Sequence, residues 1–267
     1  MLLESVFGFS ASLAQAIQTT SSGRIFHPPE DVTTNIELIL RWLHFIAGVT
    51  WIGHLYFFNF VNVSLMKVLD GPTKGKVIPQ LMPRALWWFR WGALVTVLAG
   101  VIYYILILHS EPDTWITFGK WAVVVLLTFV VIFFLLRQSY PVGKGWLLGL
   151  IVGVVVIVMA IVLLTLTGGE GVTRTGTMQT ASNRALSIGI GGGLGVIMLL
   201  NVWGIIWPHQ KRIIAWTADN AEKGTAIPAE SATLARRAFL ASRMNTWLSI
   251  PMLFFMATAS HYPMFGR

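Results

Sequence analysis

The stretch ELILRWLHFIAGVTWIGHLYFFNFVNV, residues 37–63, decides the fold of this chain, because it is long and apolar enough to cross a lipid bilayer. A helix needs about 20 predominantly apolar residues to cross the roughly 30 Å of hydrocarbon. Five further segments of this kind follow it. Together the six predicted spans cover residues 36–60, 85–108, 116–136, 146–166, 185–207 and 238–260. We therefore predict an all-α integral membrane protein, a bundle of about six transmembrane helices.

The composition of the whole chain agrees with lipid as the solvent. Of its 267 residues, 55% are hydrophobic and only 11% are charged. Soluble domains carry about 25% charged residues, so a water-soluble enzyme is excluded, and the apolar content excludes a disordered chain. The sequence has no Cys. This excludes disulfides, thiolate-ligated metals and covalent c-type haem attachment within these residues.

The first 35 residues form a segment of their own before the transmembrane domain, residues 36–267. Residues 1–18 are moderately apolar, but they lack a basic start, and Glu4 interrupts the apolar run. We predict an interfacial helix here, in a periplasmic N-terminal segment. A short seventh span is the alternative.

The distribution of basic residues between alternate loops predicts the orientation. One side carries twelve of them: Lys67, Lys74, Lys76, Arg84, Arg137, Lys144, Lys211, Arg212, Lys223, Arg236, Arg237 and Arg243. The other side carries five: Arg24, Lys120, Arg174, Arg184 and Arg267. Basic loops stay in the cytoplasm, so both termini are predicted in the periplasm and the chain in a bacterial inner membrane. Topology then accounts for most of the net charge of +8, and no nucleic-acid binding is predicted.

The fifth span contains GIGGGLG, residues 189–195. A nucleotide-binding loop is excluded because no strand precedes it. Gly189 with Gly193, and Gly191 with Gly195, instead form small-xxx-small pairs that let helices approach closely. We predict packing within the bundle or, as a homo-oligomer, between copies of the chain. The following connection, residues 208–237, is predicted to be a long inner loop with an amphipathic surface helix.

Polar residues in the first span point to a binding site. They share one helical stripe with apolar residues, through Arg41, His44, Gly48, Trp51, Leu55, Phe58 and Asn62. Polar groups facing lipid are costly, so the stripe is predicted to face inward. His44 beside a Gly suits a haem, with the imidazole as ligand, Gly48 leaving space for the ring and Trp51 below it. An interhelical hydrogen bond from His44 to a backbone carbonyl is the alternative.

Three further histidines are candidate metal ligands. His54 lies ten residues after His44, about 15 Å along the helix axis, so the two cannot ligate one iron. It would serve a second site, or form a core hydrogen bond. His109 and His261 close the second and last spans on the outer side. They are candidates for the second axial ligand, or plain interfacial residues.

Two arginines within or next to the predicted membrane spans each allow two interpretations. Arg90 lies among Trp87, Trp88 and Trp91 in the second span, and Arg41 lies at the outer rim. Each would extend to the membrane interface, or neutralise a haem propionate or an anionic substrate.

Four stretches together resemble a known family. They are RWLHFIAGVTWIGHLYFFNFVNV (41–63), PRALWWFRWGALVTVLAG (83–100), NVWGIIWPHQKRI (201–213) and SHYPMF (260–265). They are similar to the membrane domain of PuuD-type urate hydroxylases, the urate oxidase N-terminal family, from about residue 36 onward. The first stretch is also loosely similar to protoporphyrinogen-oxidase-like and copper-resistance D-type membrane proteins.

The resemblance implies a redox function. PuuD-type proteins join this membrane domain to a periplasmic cytochrome c and are taken to oxidise urate. The present 267 residues contain no such domain. We therefore expect a membrane redox protein that binds haem b and passes electrons to a separate cytochrome c or larger redox complex. It would be a urate hydroxylase-like oxidoreductase or a subunit of one. The alternative is a non-catalytic accessory or assembly subunit of a respiratory or photosynthetic complex.

Overall fold

The computed structural model describes residues 29–111, 113–138, 145–168 and 181–265. These residues form six long helices and no strand: α1 Val32–Val68, α2 Gly71–Leu108, α3 Thr114–Arg137, α4 Gly145–Thr167, α5 Asn183–Lys223 and α6 Glu230–Thr258. The predicted all-α class is confirmed. The predicted interfacial helix over residues 1–18 lies outside the described residues. The chain divides into two compact units after Ile39. The first unit includes the first turns of α1, and the second comprises Leu40–Arg267.

Five of the six helices, α1 to α5, are long and apolar enough to cross a membrane. The sixth, α6, is long enough, but its polar residues lower its hydropathy. It carries Arg236, Arg237 and Arg243 in its first half, and it buries Asn245 and Ser249 against other helices. Polar groups on a buried helix face are satisfied by neighbouring helices rather than by lipid. The chain is an all-α membrane protein.

α2 and α5 extend furthest beyond the spans predicted from hydropathy. α2 begins at Gly71 rather than near residue 85, because Asp70 caps it by accepting a 2.8 Å hydrogen bond from the Thr73 backbone N–H. α5 continues through Pro208 to Lys223. A helix is therefore observed where an amphipathic helix was predicted, but it continues the fifth span, and the predicted loop over residues 208–237 is wrong in its extent. The π-helical segment Val202–Ile206 widens the turn just before Pro208 and so relieves the clash that a proline ring normally causes.

α5 is the central helix of the second unit, because 78% of its membrane-length window is buried. Its glycines allow this packing. A Cβ on Gly193 would lie 2.9 Å from the Val125 side chain on α3, and one on Gly191 would lie 3.0 Å from Met256. The predicted packing role within the bundle is confirmed. Because these glycines are buried within the chain itself, the homo-oligomer through residues 189–195 stays a prediction.

In contrast to α5, the first helix is mostly uncovered, with only 11% of its membrane-length window buried. Its buried residues are Trp51, Leu55, Phe58, Asn59 and Asn62, which follow the spacing of one helical stripe. A second π-helical segment, Phe57–Asn62, lies at the end of this stripe. The buried face of α1 is therefore narrow. It matches the predicted stripe from Trp51 to Asn62, whereas His44 is half-buried and Arg41 is exposed.

Candidate functional site

His44 lies on the face of α1 that packs against α2. Small residues permit this approach: a Cβ on Gly92 would lie 3.3 Å from the Ala47 carbonyl oxygen and from the Trp51 nitrogen. One turn further along α2, the carbonyl oxygen of Thr96 lies 2.8 Å from the His44 Nδ1 atom. A carbonyl oxygen can only accept, so Nδ1 carries the proton and donates it. The bond therefore fixes both the tautomer and the orientation of the imidazole.

The Nε2 atom of His44 is left with a lone pair and makes no hydrogen bond to any described residue. A backbone carbonyl that orients one ring nitrogen while the other remains free is the usual arrangement around a metal-binding histidine. The alternative given for His44, an interhelical hydrogen bond, is thus observed. It occupies only Nδ1, so it is compatible with a ligand at Nε2.

The glycine that makes room for the His44 ring is Gly100 on α2. A Cβ there would lie 2.8 Å from the His44 Nδ1 atom and 2.9 Å from Cε1. Gly48, which was predicted to leave space for the haem ring beside His44, faces Thr96, whose methyl carbon would lie 3.6 Å from a Cβ at Gly48. Trp51 is 1% exposed, and its indole N–H has no hydrogen-bond partner among the described residues. The imidazole ring of His44 therefore packs against the backbone of α2 at Gly100.

Two arginines meet at Tyr103, one turn beyond Gly100. The Arg41 guanidinium carbon lies 5.7 Å from the centre of the Tyr103 ring, and that of Arg184 lies 5.2 Å from it. Arg184 also donates a hydrogen bond to the Tyr103 hydroxyl. Arg41 itself is exposed. Two guanidinium groups on one ring concentrate positive charge at this end of the bundle, within two turns of His44.

His54 lies apart from His44, at an open groove on the surface of the bundle. Its Nδ1 atom donates a 2.7 Å hydrogen bond to the Thr50 carbonyl oxygen of its own helix. It lines an open groove of about 430 Å³ between α1 and α2, with Gly53, Phe57 and Leu81 among the other walls. A Cβ on Gly53 would meet nothing within 4 Å. His54 thus has a free ring nitrogen beside an apolar groove, but no neighbouring helix orients its ring.

Arg90 is held by tryptophans of α5. Its guanidinium carbon lies 3.8 Å from the centre of the Trp207 ring and 5.7 Å from that of Trp203. The Trp203 indole N–H donates a 3.2 Å hydrogen bond to the Arg90 carbonyl oxygen. The neighbouring Trp87 and Trp88 are exposed, as residues of an interfacial belt are. Arg90 therefore joins α2 to α5, and it lies on α2 ten residues from Gly100.

The remaining predicted ligands, His109 and His261, are exposed at helix ends. The His261 Nδ1 atom donates a 3.2 Å hydrogen bond to the Ala257 carbonyl oxygen. No contact of either residue with His44 is observed. Within residues 29–111, 113–138, 145–168 and 181–265, no group of three or more His, Cys, Asp or Glu residues could hold a metal ion. A haem needs only one or two axial ligands, so this finding leaves a haem at His44 open.

Four residues of this site were missed in the sequence: Thr96, Gly100, Tyr103 and Arg184. A signal for the first two was present. Gly92, Thr96 and Gly100 recur every four residues on α2, which is the small-residue pattern of a close helix contact. Tyr103 and Arg184 carried no such signal, because only the packing of α2 against α5 brings them together.

Residues 69–266 match the family described as urate oxidase N-terminal. The match covers α2 to α6 and begins after α1, which carries His44 and His54. The resemblance expected from about residue 36 is therefore shown over a shorter part of the chain. No curated protein and no solved structure matches the chain.

Proposed function

The chain belongs to the urate oxidase N-terminal family, and from this premise we propose that it is a membrane redox protein that binds haem b at His44. The observation that carries the proposal is the hydrogen bond from His44 Nδ1 to the Thr96 carbonyl oxygen. It leaves Nε2 oriented and unprotonated, which is the form in which imidazole ligates iron.

The surroundings of His44 suit a haem. Gly100 presents bare backbone to the imidazole, so the ring orientation is set without a competing side chain. Arg41 and Arg184 supply positive charge on Tyr103, where negatively charged propionates would be stabilised. A bound haem b would accept and donate single electrons. In this proposal Thr96 and Gly100 fix the ligand, and the arginines balance the charge of the cofactor.

Absorption spectroscopy of the purified chain tests the proposal. We expect a Soret band, and α and β bands after reduction with dithionite. His44→Ala should abolish these bands while the protein still inserts and melts cooperatively. His54→Ala is the matched control on the same helix, and we expect it to keep them. Loss of the bands in His54→Ala alone would show that His54, in the groove, is the haem ligand instead of His44. Absence of the bands from the wild type would refute the haem proposal.

A cytochrome c, or a larger redox complex that contains one, is the electron partner we propose. The present 267 residues contain no Cys, so they cannot bind a c-type haem covalently. Electron transfer requires only a small, transient interface. The exposed outer-end residues His109, His261 and Tyr262 are available for such a contact. Purification in mild detergent should recover the chain with a cytochrome. Recovery of a haem-containing chain that oxidises urate with a soluble dye, and binds no cytochrome, would contradict this partnership.

The proposed orientation has both termini in the periplasm of a bacterial inner membrane. It is supported by the excess of basic residues at one end of the helices. A reporter that is active only in the cytoplasm should be silent when fused after Arg267 and active when inserted after Gly224, the C-cap residue that follows α5. The reverse pattern would overturn the orientation.

The uncovered surface of α1 favours a second candidate, a non-catalytic subunit of a larger complex. Only 11% of the membrane-length window of α1 is buried within the chain. Such an apolar face is covered either by lipid or by another subunit. An accessory subunit would co-purify with a large complex and show no haem absorption of its own, whereas the redox protein would show it when purified alone.

A further inference from the structure

A cavity of about 90 Å³ lies at the opposite end of α1 from His44. Asn59 and Asn62 of α1, Met82 and Phe89 of α2, Gln210 of α5 and Ser242 of α6 are among its walls. Asn62 lies 18 residues from His44, which is about 27 Å along the helix. The cavity is therefore separate from the proposed haem site, and a ligand in it could not reach His44.

Asn62 is the unsatisfied group of this cavity. The residue is 8% exposed, and its carbonyl oxygen Oδ1 is buried with no hydrogen-bond partner among the described residues. Its neighbour Asn59, in contrast, donates to the Leu55 carbonyl oxygen and to the Ser242 hydroxyl, each at 2.9 Å. A buried amide oxygen without a donor is destabilising, so native proteins usually supply it with a donor or with bound water.

Two π-helical segments are observed in the described residues, and both contribute to this cavity. Phe57–Asn62 supplies Asn59 and Asn62, and Val202–Ile206 supplies Ile206. Short π segments interrupt an α-helix at some cost and occur frequently at functional sites. Their convergence on one cavity is a second, independent indication that the cavity has a role beyond packing.

Ser242 in the cavity wall begins a line of polar groups in the interior. Ser242, Asn245 and Ser249 follow one another on α6 at spacings of three and four, so they share a face. Ser242 bonds Asn59, Asn245 accepts a 2.8 Å hydrogen bond from Asn201, and the Ser249 hydroxyl lies 3.0 Å from that of Tyr56. The Asn201 Oδ1 atom is buried and has no partner among the described residues. We call this line, Ser242 to Ser249 with its partners, the polar seam.

We propose that the cavity binds a small cluster of water molecules, which hydrogen-bond Asn62 and hydrate the start of the polar seam. The lining contains amide and hydroxyl groups and no charged side chain, so the ligand is uncharged. The unsatisfied group is an acceptor, so the ligand donates a hydrogen bond. A single water needs about 10–15 Å³ of such space, so several fit. Gln210 of the lining directly precedes Lys211 and Arg212, so the cavity lies at the basic end of the helices.

Radiolytic hydroxyl-radical footprinting of the purified protein tests this proposal, because radicals formed from a bound water oxidise the side chains next to it. Met82 in the cavity wall is the reporter, and it is 8% exposed. Met159 is 1% exposed and packs near Gly193 and away from the cavity, so it is the control. We expect Met82 to be oxidised at least fivefold faster than Met159. Equal rates would mean a dry cavity and would overturn the proposal.

Two variants separate internal water from access of bulk solvent to Met82. Asn62→Leu removes the acceptor at similar volume, and Ala238→Leu fills the cavity from α6. Each variant should lower the oxidation rate of Met82 severalfold and leave that of Met159 unchanged. Cooperative melting shows that a variant is folded, and if one variant fails to fold, the other tests the proposal. Unchanged oxidation in the folded variants would contradict internal water. Retention of an organic solute in native mass spectra of the wild type would also overturn the assignment to water.

Discussion

The Nδ1 atom of His44 lies 2.8 Å from the carbonyl oxygen of Thr96, which joins the first helix to the second across 52 residues of sequence. The bond forms because α2 presents small residues to α1 at this depth, so the two backbones approach closely. It determines which nitrogen of His44 remains free. Any ligand at this position therefore depends on residues of α2 as much as on His44 itself.

Gly100→Ala is expected to displace the His44 ring. A Cβ at this position would lie 2.8 Å from Nδ1, so the imidazole or the helix must move. We expect a destabilisation of about 1–3 kcal/mol, typical of an overpacked site, and a reduced haem content. Thermal unfolding in detergent and the Soret absorbance measure the two effects. Gly149→Ala on α4, where a Cβ meets nothing within 4 Å, is the control; it should leave the haem content unchanged and be neutral or stabilise by up to about 1 kcal/mol. Full haem content in Gly100→Ala would show that the ring does not need this space.

Gly193→Ala and Gly195→Ala should differ sharply although they lie two residues apart on α5. The new methyl group at Gly193 would lie 2.9 Å from the Val125 side chain, whereas at Gly195 it would meet nothing within 4 Å. Gly193→Ala should cost about 1–3 kcal/mol through overpacking. Gly195→Ala should be neutral or stabilise by up to about 1 kcal/mol, since Ala is the better helix former. Equal melting temperatures for the two variants would contradict the packing of α5 on α3.

The amides of Asn201 and Asn245 form a buried pair between α5 and α6. Asn201 donates to Asn245 at 2.8 Å, and Asn245 donates to the Met198 carbonyl oxygen at 2.9 Å. Asn245→Leu leaves the Asn201 amide buried without its acceptor, which should cost about 1–3 kcal/mol. The double variant Asn201→Leu with Asn245→Leu should lose less than the sum of the two single variants, because no partner is then left unsatisfied. Additive losses in denaturant or thermal unfolding would mean that the pair is not coupled.

The N-cap formed by Asp70 at the start of α2 should make the stability of the protein depend on pH. Its hydrogen bonds with the Thr73 side chain and backbone N–H hold the pKa of the carboxyl below its usual value of 3.8. A lowered pKa in the folded state means that the cap stabilises α2 above pH 3.8, and that this contribution is lost as the pH falls through the folded-state pKa. Asp70→Asn keeps a capping oxygen that does not titrate. The difference in melting temperature between wild type and variant should therefore change below about pH 4. A constant difference over pH 2.5–7 would contradict the cap.

The membrane class, the approximate spans and the buried stripe of α1 were all predictable from the sequence. They depend on local composition and on helical periodicity, which each segment carries by itself. Trp51, Leu55 and Phe58 are buried as the spacing indicates. Gly189, Gly191 and Gly193 of α5 lie at close helix contacts as predicted, whereas a Cβ on Gly195 would meet nothing within 4 Å. The extent of α5 was not predictable, because Pro208 and the charged residues after it normally end a membrane span. A π-helical segment lets this helix continue.

The arrangement around His44 was decided by tertiary structure. The sequence placed a histidine beside Gly48 on one helix, but the structure places it on Gly100 and bonds it to Thr96 of the next helix. Tyr103 and Arg184 meet only because α2 and α5 pack against each other. Periodicity gives the face of a helix on which a residue lies, but not which helix faces it or at what depth. Those two quantities depend on the side chains of both partners together, and no single segment of the sequence contains them.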